Sequence, residues 1–189
     1  AIQMELAELA TRFANHVLDA TKGFILILTT QNDIDGLPSS LLSLAAQVAR
    51  ANGTEESTPE DGPWHITLDF PCYFPFMQHS TRRDLREKLY KAYITRASSG
   101  ELDNNPLIIR ILELRQELAQ LIGFATFAEL SLASKMAKDV PSVEKLLEEL
   151  RQASYNAAVK DLEKLKAFAQ NKAAVEAENL QHWDINFWA

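Results

Sequence analysis

Few side chains in this sequence are of a kind that could do chemistry, and they are scattered along the chain. His65, Cys72 and His79 are spaced seven residues apart and could be imagined as ligands of one metal ion. Pro71 and Pro75 interrupt any regular geometry between them, and no fourth ligand pair accompanies them. A histidine on a strand and a small buried cysteine are the simpler interpretation. We therefore predict no metal-binding residue.

A second candidate is the segment "HWD" near the end of the sequence, where His182 lies two residues before Asp184. An imidazole close to a carboxylate could act as an acid–base pair. The same residues also suit the start of a helix, with Asp184 as its N-cap and Trp183 packed inward. We favour the helix start, because nothing else in the sequence completes a catalytic site.

Other catalytic and binding motifs are missing from the sequence. It contains no H-E-x-x-H and neither of the common glycine-rich phosphate-binding patterns. In "ASSGELDNN" (97–105) the serines have no neighbouring base, so we predict a connection between helices. A group of aromatic residues could line a ligand groove, although the core beneath a β ribbon is the commoner role; it comprises Trp64, Phe70, Tyr73, Phe74 and Phe76. We predict no catalytic and no cofactor-binding residue.

The charge of the chain argues against some partners. Its 189 residues carry a net charge of −7, from 19 basic and 26 acidic side chains. No basic stripe could neutralise phosphates, so we expect neither nucleic acid nor an anionic membrane surface as a partner. No apolar run approaches the roughly 20 residues of a membrane helix, and the single cysteine fits a reducing compartment. We expect a protein of the cytoplasm or of an organelle matrix.

The hydrophobic pattern predicts a mainly α fold, a multi-helix bundle with a small two-stranded β ribbon. A first helix has one apolar face at helical steps, formed by Ile2, Leu6, Leu9, Phe13 and Val17. "FILILT" (24–29) and "WHITLDF" (64–70) predict the two strands, and a second helix between them starts near Ser39 or Ser40. The two prolines in the following segment, 71–80, favour an extended arm entering a short turn.

From residue 81 the sequence is helical almost throughout. Capping signals predict the helix starts, at Thr81 with Asp84, Asn105 with Pro106, Thr126 with Glu129, Pro141 with Ser142, and Asp184. The helix that starts at Pro141 is predicted to be the longest. The change of pattern near residue 80 suggests a division into 1–80, with helices and the ribbon, and 81–189, which is purely helical.

Several stretches in this order resemble one family of enzymes. They are "GLPSSLLSLAAQ", "GPWHITLDFPCYFPFMQHSTRRDLREKLYKAYITRASSGELDNNPLIIRILELRQELAQLIGF" and "HWDINFWA". Over essentially its whole length the chain is similar to the thimet oligopeptidase and oligopeptidase A family of zinc metallopeptidases, above all to the plant and bacterial oligopeptidase A-like branch. The resemblance implies a nearly all-helical protein in which two lobes flank a channel for short peptides. On the same basis 1–80 is part of the N-terminal lobe and 81–189 begins the peptidase domain.

The resemblance also implies that the zinc site of the family, H-E-x-x-H with a further Glu, lies beyond the matched region. No catalytic residue of the family can be carried onto a position of this chain. We therefore expect a truncated oligopeptidase-like protein that is not catalytic on its own and acts as a peptide- or partner-binding module. A part of a complete zinc oligopeptidase, where it forms channel wall, and an independent helical scaffold remain alternatives.

The residues at the end of the sequence are the expected contact surface of such a protein. Trp183, Phe187 and Trp188 lie within the last seven residues, where soluble chains usually have a polar tail. We expect these rings to be exposed and to contact a partner. Short peptides or a full-length relative are the expected partners, and a homodimer through apolar helix faces is another possibility. Chloroplast and mitochondrion are the organelles that the resemblance suggests.

Overall fold

The computed structural model describes residues 1–189. The chain is mainly helical, as predicted. It has eight α-helices and one antiparallel sheet of two strands, β1 (Ile25–Leu28) and β2 (Trp64–Thr67). The helices are α1 (Ile2–Lys22), α2 (Ser39–Ala51), α3 (Phe70–His79), α4 (Arg83–Ile94), α5 (Asn105–Leu121), α6 (Phe127–Leu132), α7 (Val140–Asn171) and α8 (His182–Trp188). No helix is both long and apolar enough to cross a membrane.

The residues form two compact units. Unit 1 comprises 1–15 and 103–164, and unit 2 comprises 16–102 and 165–189. The long helices α1 and α7 therefore each contribute residues to both units. The predicted division near residue 80 concerns the domains of a longer protein and stays a prediction.

The β ribbon lies at the centre of unit 2. Leu26 pairs with Ile66 and Leu28 with Trp64, and all four side chains are buried. Alternation along each strand directs these residues to one face. The small residues of α2, such as Ala45 and Ala46, belong to the same buried cluster. The ribbon is thus confirmed, with strands somewhat shorter than the predicted 24–29 and 64–70.

The prediction of an extended arm over 71–80 is wrong, because this segment forms α3. Pro71 lies in the first turn, where a missing N–H costs nothing. Pro75 lies inside the helix and removes one backbone hydrogen bond. The helix nevertheless buries Cys72, Phe76 and further residues against the ribbon. Burial of these side chains offsets the lost bond, and local proline rules could not foresee it.

The helix starts predicted at Thr81 and Asn105 are each displaced by one residue. Thr81 does not cap α4; its hydroxyl donates to Asp35 Oδ2 at 2.7 Å instead, and the N-cap is Arg82. The N-cap of α5 is Asn104, one residue before the prediction. The start at Thr126 is confirmed, since Thr126 Oγ1 accepts from the Glu129 N–H at 3.2 Å.

In unit 1 the beginning of α1 packs against α5. Leu9, Leu107 and Leu114 form the buried cluster between the two helices. Arg110 Nε donates to Glu5 Oε1 at 2.8 Å, and Asn104 Nδ2 donates to the carbonyl of Phe13 at 3.1 Å. These contacts fix the two helices against each other within the unit.

Candidate interaction surfaces

The three aromatic residues that were expected to be exposed all lie in α8 and are half-buried in unit 2. Trp183 packs against the core cluster, with its ring 6.0 Å from that of Tyr90. The ring of Phe187 lies against the Arg86 guanidinium, and its centroid is 4.0 Å from Arg86 Cζ. Trp188 Nε1 donates to Glu176 Oε1 at 3.2 Å. The rings thus pack on their own unit, and their contact with a partner stays a prediction.

Asp184 anchors α8 through a buried ion cluster. Its carboxylate accepts from Arg83 Nη2 at 2.8 Å and from Arg86 Nη2 at 2.9 Å, and both Asp184 and Arg86 are fully buried. It also accepts the backbone N–H of Gln181 at 3.0 Å. Gln181 is therefore the N-cap of α8, and the prediction that Asp184 is the N-cap is wrong by three residues.

This environment keeps Asp184 ionised. Burial acts to raise the pKa of the carboxyl group, but the hydrogen bonds from Arg83, from the Gln181 backbone and from Arg86 outweigh burial and lower the pKa. His182 lies on the exposed side of α8, stacked on Tyr90 at 6.0 Å, and makes no hydrogen bond to Asp184. An acid–base pair is therefore not formed, and the helix-start interpretation is the right one.

The possible metal ligands are not brought together. His65 and Cys72 are buried, whereas His79 is exposed at the end of α3. No three His, Cys, Asp or Glu side chains gather in an arrangement that could hold a metal ion. The side chains of residues 1–189 therefore do not fit a catalytic zinc ion, which needs three protein ligands.

The aromatic group on β2 and α3 belongs mainly to the core. Trp64, Tyr73 and Phe76 are buried in the cluster of unit 2, as the simpler interpretation predicted. Phe70 and Phe74 instead stack on each other near the surface, with 5.1 Å between ring centroids. No groove lined by the whole group is formed.

The long helix α7 carries a row of exposed apolar side chains. Of its 32 residues only Ala169 is buried. Leu146, Leu147 and Leu150 are 56%, 59% and 56% exposed. At 100° per residue these leucines share one face with the half-buried Val143, and we call these four residues the α7 seam. Helices in proteins gain most of their stability when such an apolar face packs against other elements. The seam is therefore the best candidate for an interaction surface.

Sequence reasoning missed the arginines of the ion cluster, and it expected contacts through apolar helix faces without singling out the seam. Arg83 and Asp184 are 101 residues apart, so no local pattern could link them. The apolar face of α7 is visible in the sequence, because Val143, Leu147 and Leu150 recur at helical steps, but its exposure is seen only in the structure.

Residues 76–189 match the sequence profile of Peptidase family M3. This chain belongs to that family.

Relatives from plants and bacteria match the whole of the chain. It is 52% identical over 188 residues to the probable cytosolic oligopeptidase A of Arabidopsis thaliana. It is 51% identical to the organellar oligopeptidase A, chloroplastic/mitochondrial, of the same plant, and 40% identical to oligopeptidase A of Salmonella typhimurium. The matched regions make up 27%, 24% and 27% of these relatives. The chain thus spans about a quarter of the length of the relatives it matches.

Proposed function

We propose that residues 1–189 form a non-catalytic, partner-binding segment of an oligopeptidase A-like protein. In this proposal the α7 seam packs against further helices of such a protein. Hydrolysis of short peptides then requires both the segment and residues outside it. The exposure of the α7 seam is the observation that carries the proposal.

The relatives supply a reason for choosing this partner. Each of those named above contains about three times as much further sequence as the matched region, and each aligns with the chain from end to end. The α7 seam offers three leucines that water now covers. Covering the exposed half of each would contribute roughly 1–1.5 kcal/mol, so helices from the additional sequence are a suitable occupant.

The zinc chemistry of the family belongs to the whole protein in this proposal. A bound zinc ion would activate the water that attacks the peptide bond. The side chains of residues 1–189 offer it no gathered set of ligands. Their part is to support the remaining protein and to contribute wall to a peptide channel.

Partners other than the peptidase itself are secondary proposals. Short peptides are the substrates that the relatives' names suggest, and the chain could contact them as part of the channel. Self-association through the α7 seam would give a homodimer of the isolated chain. The acidic charge supports neither nucleic acid nor a membrane surface as a partner. The names of the plant relatives support the cytosol or an organelle as the compartment.

The proposal is tested by one double substitution, Leu147→Glu with Leu150→Glu, placed in two contexts. The first context is the isolated 189-residue chain. The second is a chimera in which the chain replaces the matched region of the Arabidopsis cytosolic relative. Both leucines are more than half exposed in the isolated chain, so its melting temperature should change by less than 2 °C. In the chimera the two buried charges should cost several kcal/mol and lower the melting temperature by at least 5 °C.

The matched control is Gln152→Glu with Asn156→Glu. These positions are exposed on the other side of α7 and receive the same two charges. Gln152→Glu removes one exposed hydrogen bond to Glu148, so the control should change the melting temperature of the isolated chain and of the chimera by less than 2 °C. Equal melting temperatures for the seam variant and the control in the chimera would mean that the seam stays uncovered, and would overturn the proposal.

A further inference from the structure

A groove runs between α1 and α5 of unit 1 and has no role in the proposed function. It encloses about 280 Å³. Its apolar lining comprises Ala10, Phe13, Ile108, Ile111 and Leu112. This volume is slightly below the usual range for ligand pockets, about 300–1,000 Å³, and the groove is open along two helices. It therefore suits side chains from a helix better than an enclosed small molecule.

One charged residue, Arg115, completes the lining. It follows Ile108, Ile111 and Leu112 at helical steps, so its side chain shares their face of α5. Its guanidinium lies 5.0 Å from the centroid of the Phe127 ring, which holds it in a defined orientation. No carboxylate lies within ion-pair distance of it in residues 1–189.

The acids near Arg115 are directed elsewhere. Glu113 and Glu117 are each two residues from Arg115 on α5, which places them roughly 160° around the helix. Glu113 also bonds Arg110, whose other partner is Glu5. Arg110 is thus paired with carboxylates. Arg115 has no carboxylate partner, and its guanidinium lies at the edge of an apolar groove. The net charge of the chain, −7, acts weakly here, because salt screens exposed charges beyond about 8 Å.

We propose that this groove binds an amphipathic helix from a partner protein, with an acidic residue placed on its apolar face. The apolar side chains of that helix fill the space beside Phe13, Ile108 and Leu112, and its carboxylate pairs with Arg115. The contacts between α1 and α5, including the bond from Asn104 to the Phe13 carbonyl, hold the groove open before the partner binds. Such preorganisation lowers the entropic cost of binding. The inference concerns a surface separate from the α7 seam.

The test uses the full 189-residue chain and two helical probe peptides that carry rhodamine. Both have leucines at positions i, i+4 and i+7, and they differ only at i+11, which is glutamate in one and lysine in the other. Fluorescence anisotropy measures the dissociation constants. The glutamate peptide should bind about fivefold more tightly than the lysine peptide. This is the change in dissociation constant that one partly exposed ion pair gives at its upper limit. Arg115→Glu should reverse this preference.

Arg12→Glu is the matched control, since Arg12 is exposed on α1, two residues from Ala10 and so roughly 160° around the helix. It introduces the same change of charge away from the groove and should keep the preference for glutamate. Leu112→Asp should weaken both peptides by at least tenfold. Equal binding of the two peptides to the unaltered chain, no binding of either, or the same reversal in Arg12→Glu would each overturn the inference. None of these results depends on the α7 seam.

Discussion

At the scale of single residues, the Asp184 cluster holds α8 in place. Arg86 is fully buried, and its charge is balanced by Asp184 at 2.9 Å. Removing the Asp184 charge leaves this buried cation with only the Glu176 carboxylate, 3.7 Å away, and such a loss costs more free energy than the original pair contributes. The cluster therefore makes the fold sensitive to any change at Asp184.

We expect Asp184→Asn to lower the free energy of unfolding by about 3 kcal/mol, because the buried Arg86 then keeps only the more distant Glu176 carboxylate, 3.7 Å away, as its counter-charge. Urea denaturation followed by tryptophan fluorescence measures this change, since Trp183 and Trp188 lie in α8. Asp161→Asn is the control, because Asp161 is an exposed partner of Lys164 on α7. Similar losses in the two variants would contradict a special role of the buried cluster.

The same carboxylate predicts a pH dependence. The pKa of Asp184 is lower in the folded chain than in the unfolded chain. Its contribution to stability is therefore complete above the unfolded pKa, about 3.9, and is lost as the pH falls below this value through the folded pKa. The stability difference between the unaltered chain and Asp184→Asn should be constant from pH 5 to 7 and should shrink below about pH 4. A difference that stays constant in urea titrations down to pH 3 would refute this origin.

How far the sequence predicts single residues depends on the distance between partners along the chain. Thr126 and Glu129 are three residues apart, and their capping contact was predicted correctly. Thr81 appeared to be a cap by the same rule, yet its hydroxyl bonds Asp35, 46 residues away. A partner brought in by the fold can outcompete a local one, and a local rule cannot see it.

At the scale of elements, α7 should be the least protected of the long helices. Its backbone hydrogen bonds are local, and its seam has no covering side chains in the isolated chain. Hydrogen exchange should therefore be fast over 143–160 and slow over 64–77, which contains β2 and the buried face of α3. Mass spectrometry of the isolated chain measures both regions. Equal protection of the two would mean that α7 is stabilised without packing.

Elements were easier to predict than their ends. The periodic apolar residues of α1 and the alternation in β2 appear directly in the sequence, and both elements form. The helix α3 was missed because two prolines argued against it, while the burial of Phe76 and Met77 in the core of unit 2 favours it. Tertiary packing decided this element, and local propensity did not.

At the scale of the whole molecule, the chain combines a well-packed unit 2 with exposed apolar surface on α7. The ribbon and its cluster give unit 2 a core of its own. The seam of α7 and the groove between α1 and α5 lie in residues of unit 1. The chain belongs to Peptidase family M3, and its relatives are about four times as long. The exposed seam is consistent with this difference in length, because the proposed function assigns it to contacts with the rest of such a protein.

The proposal that the chain is a non-catalytic segment of a peptidase is tested most directly by the hydrolysis of a quenched-fluorescent oligopeptide in the presence of zinc. The assay compares the 189-residue chain with the chimera in which the chain replaces the matched region of the Arabidopsis cytosolic relative. We predict no hydrolysis by the chain alone and chelator-sensitive hydrolysis by the chimera. Chelator-sensitive hydrolysis by the purified chain itself would contradict the claim that it is a non-catalytic segment, and an inactive but folded chimera would contradict the claim that it supports a peptidase.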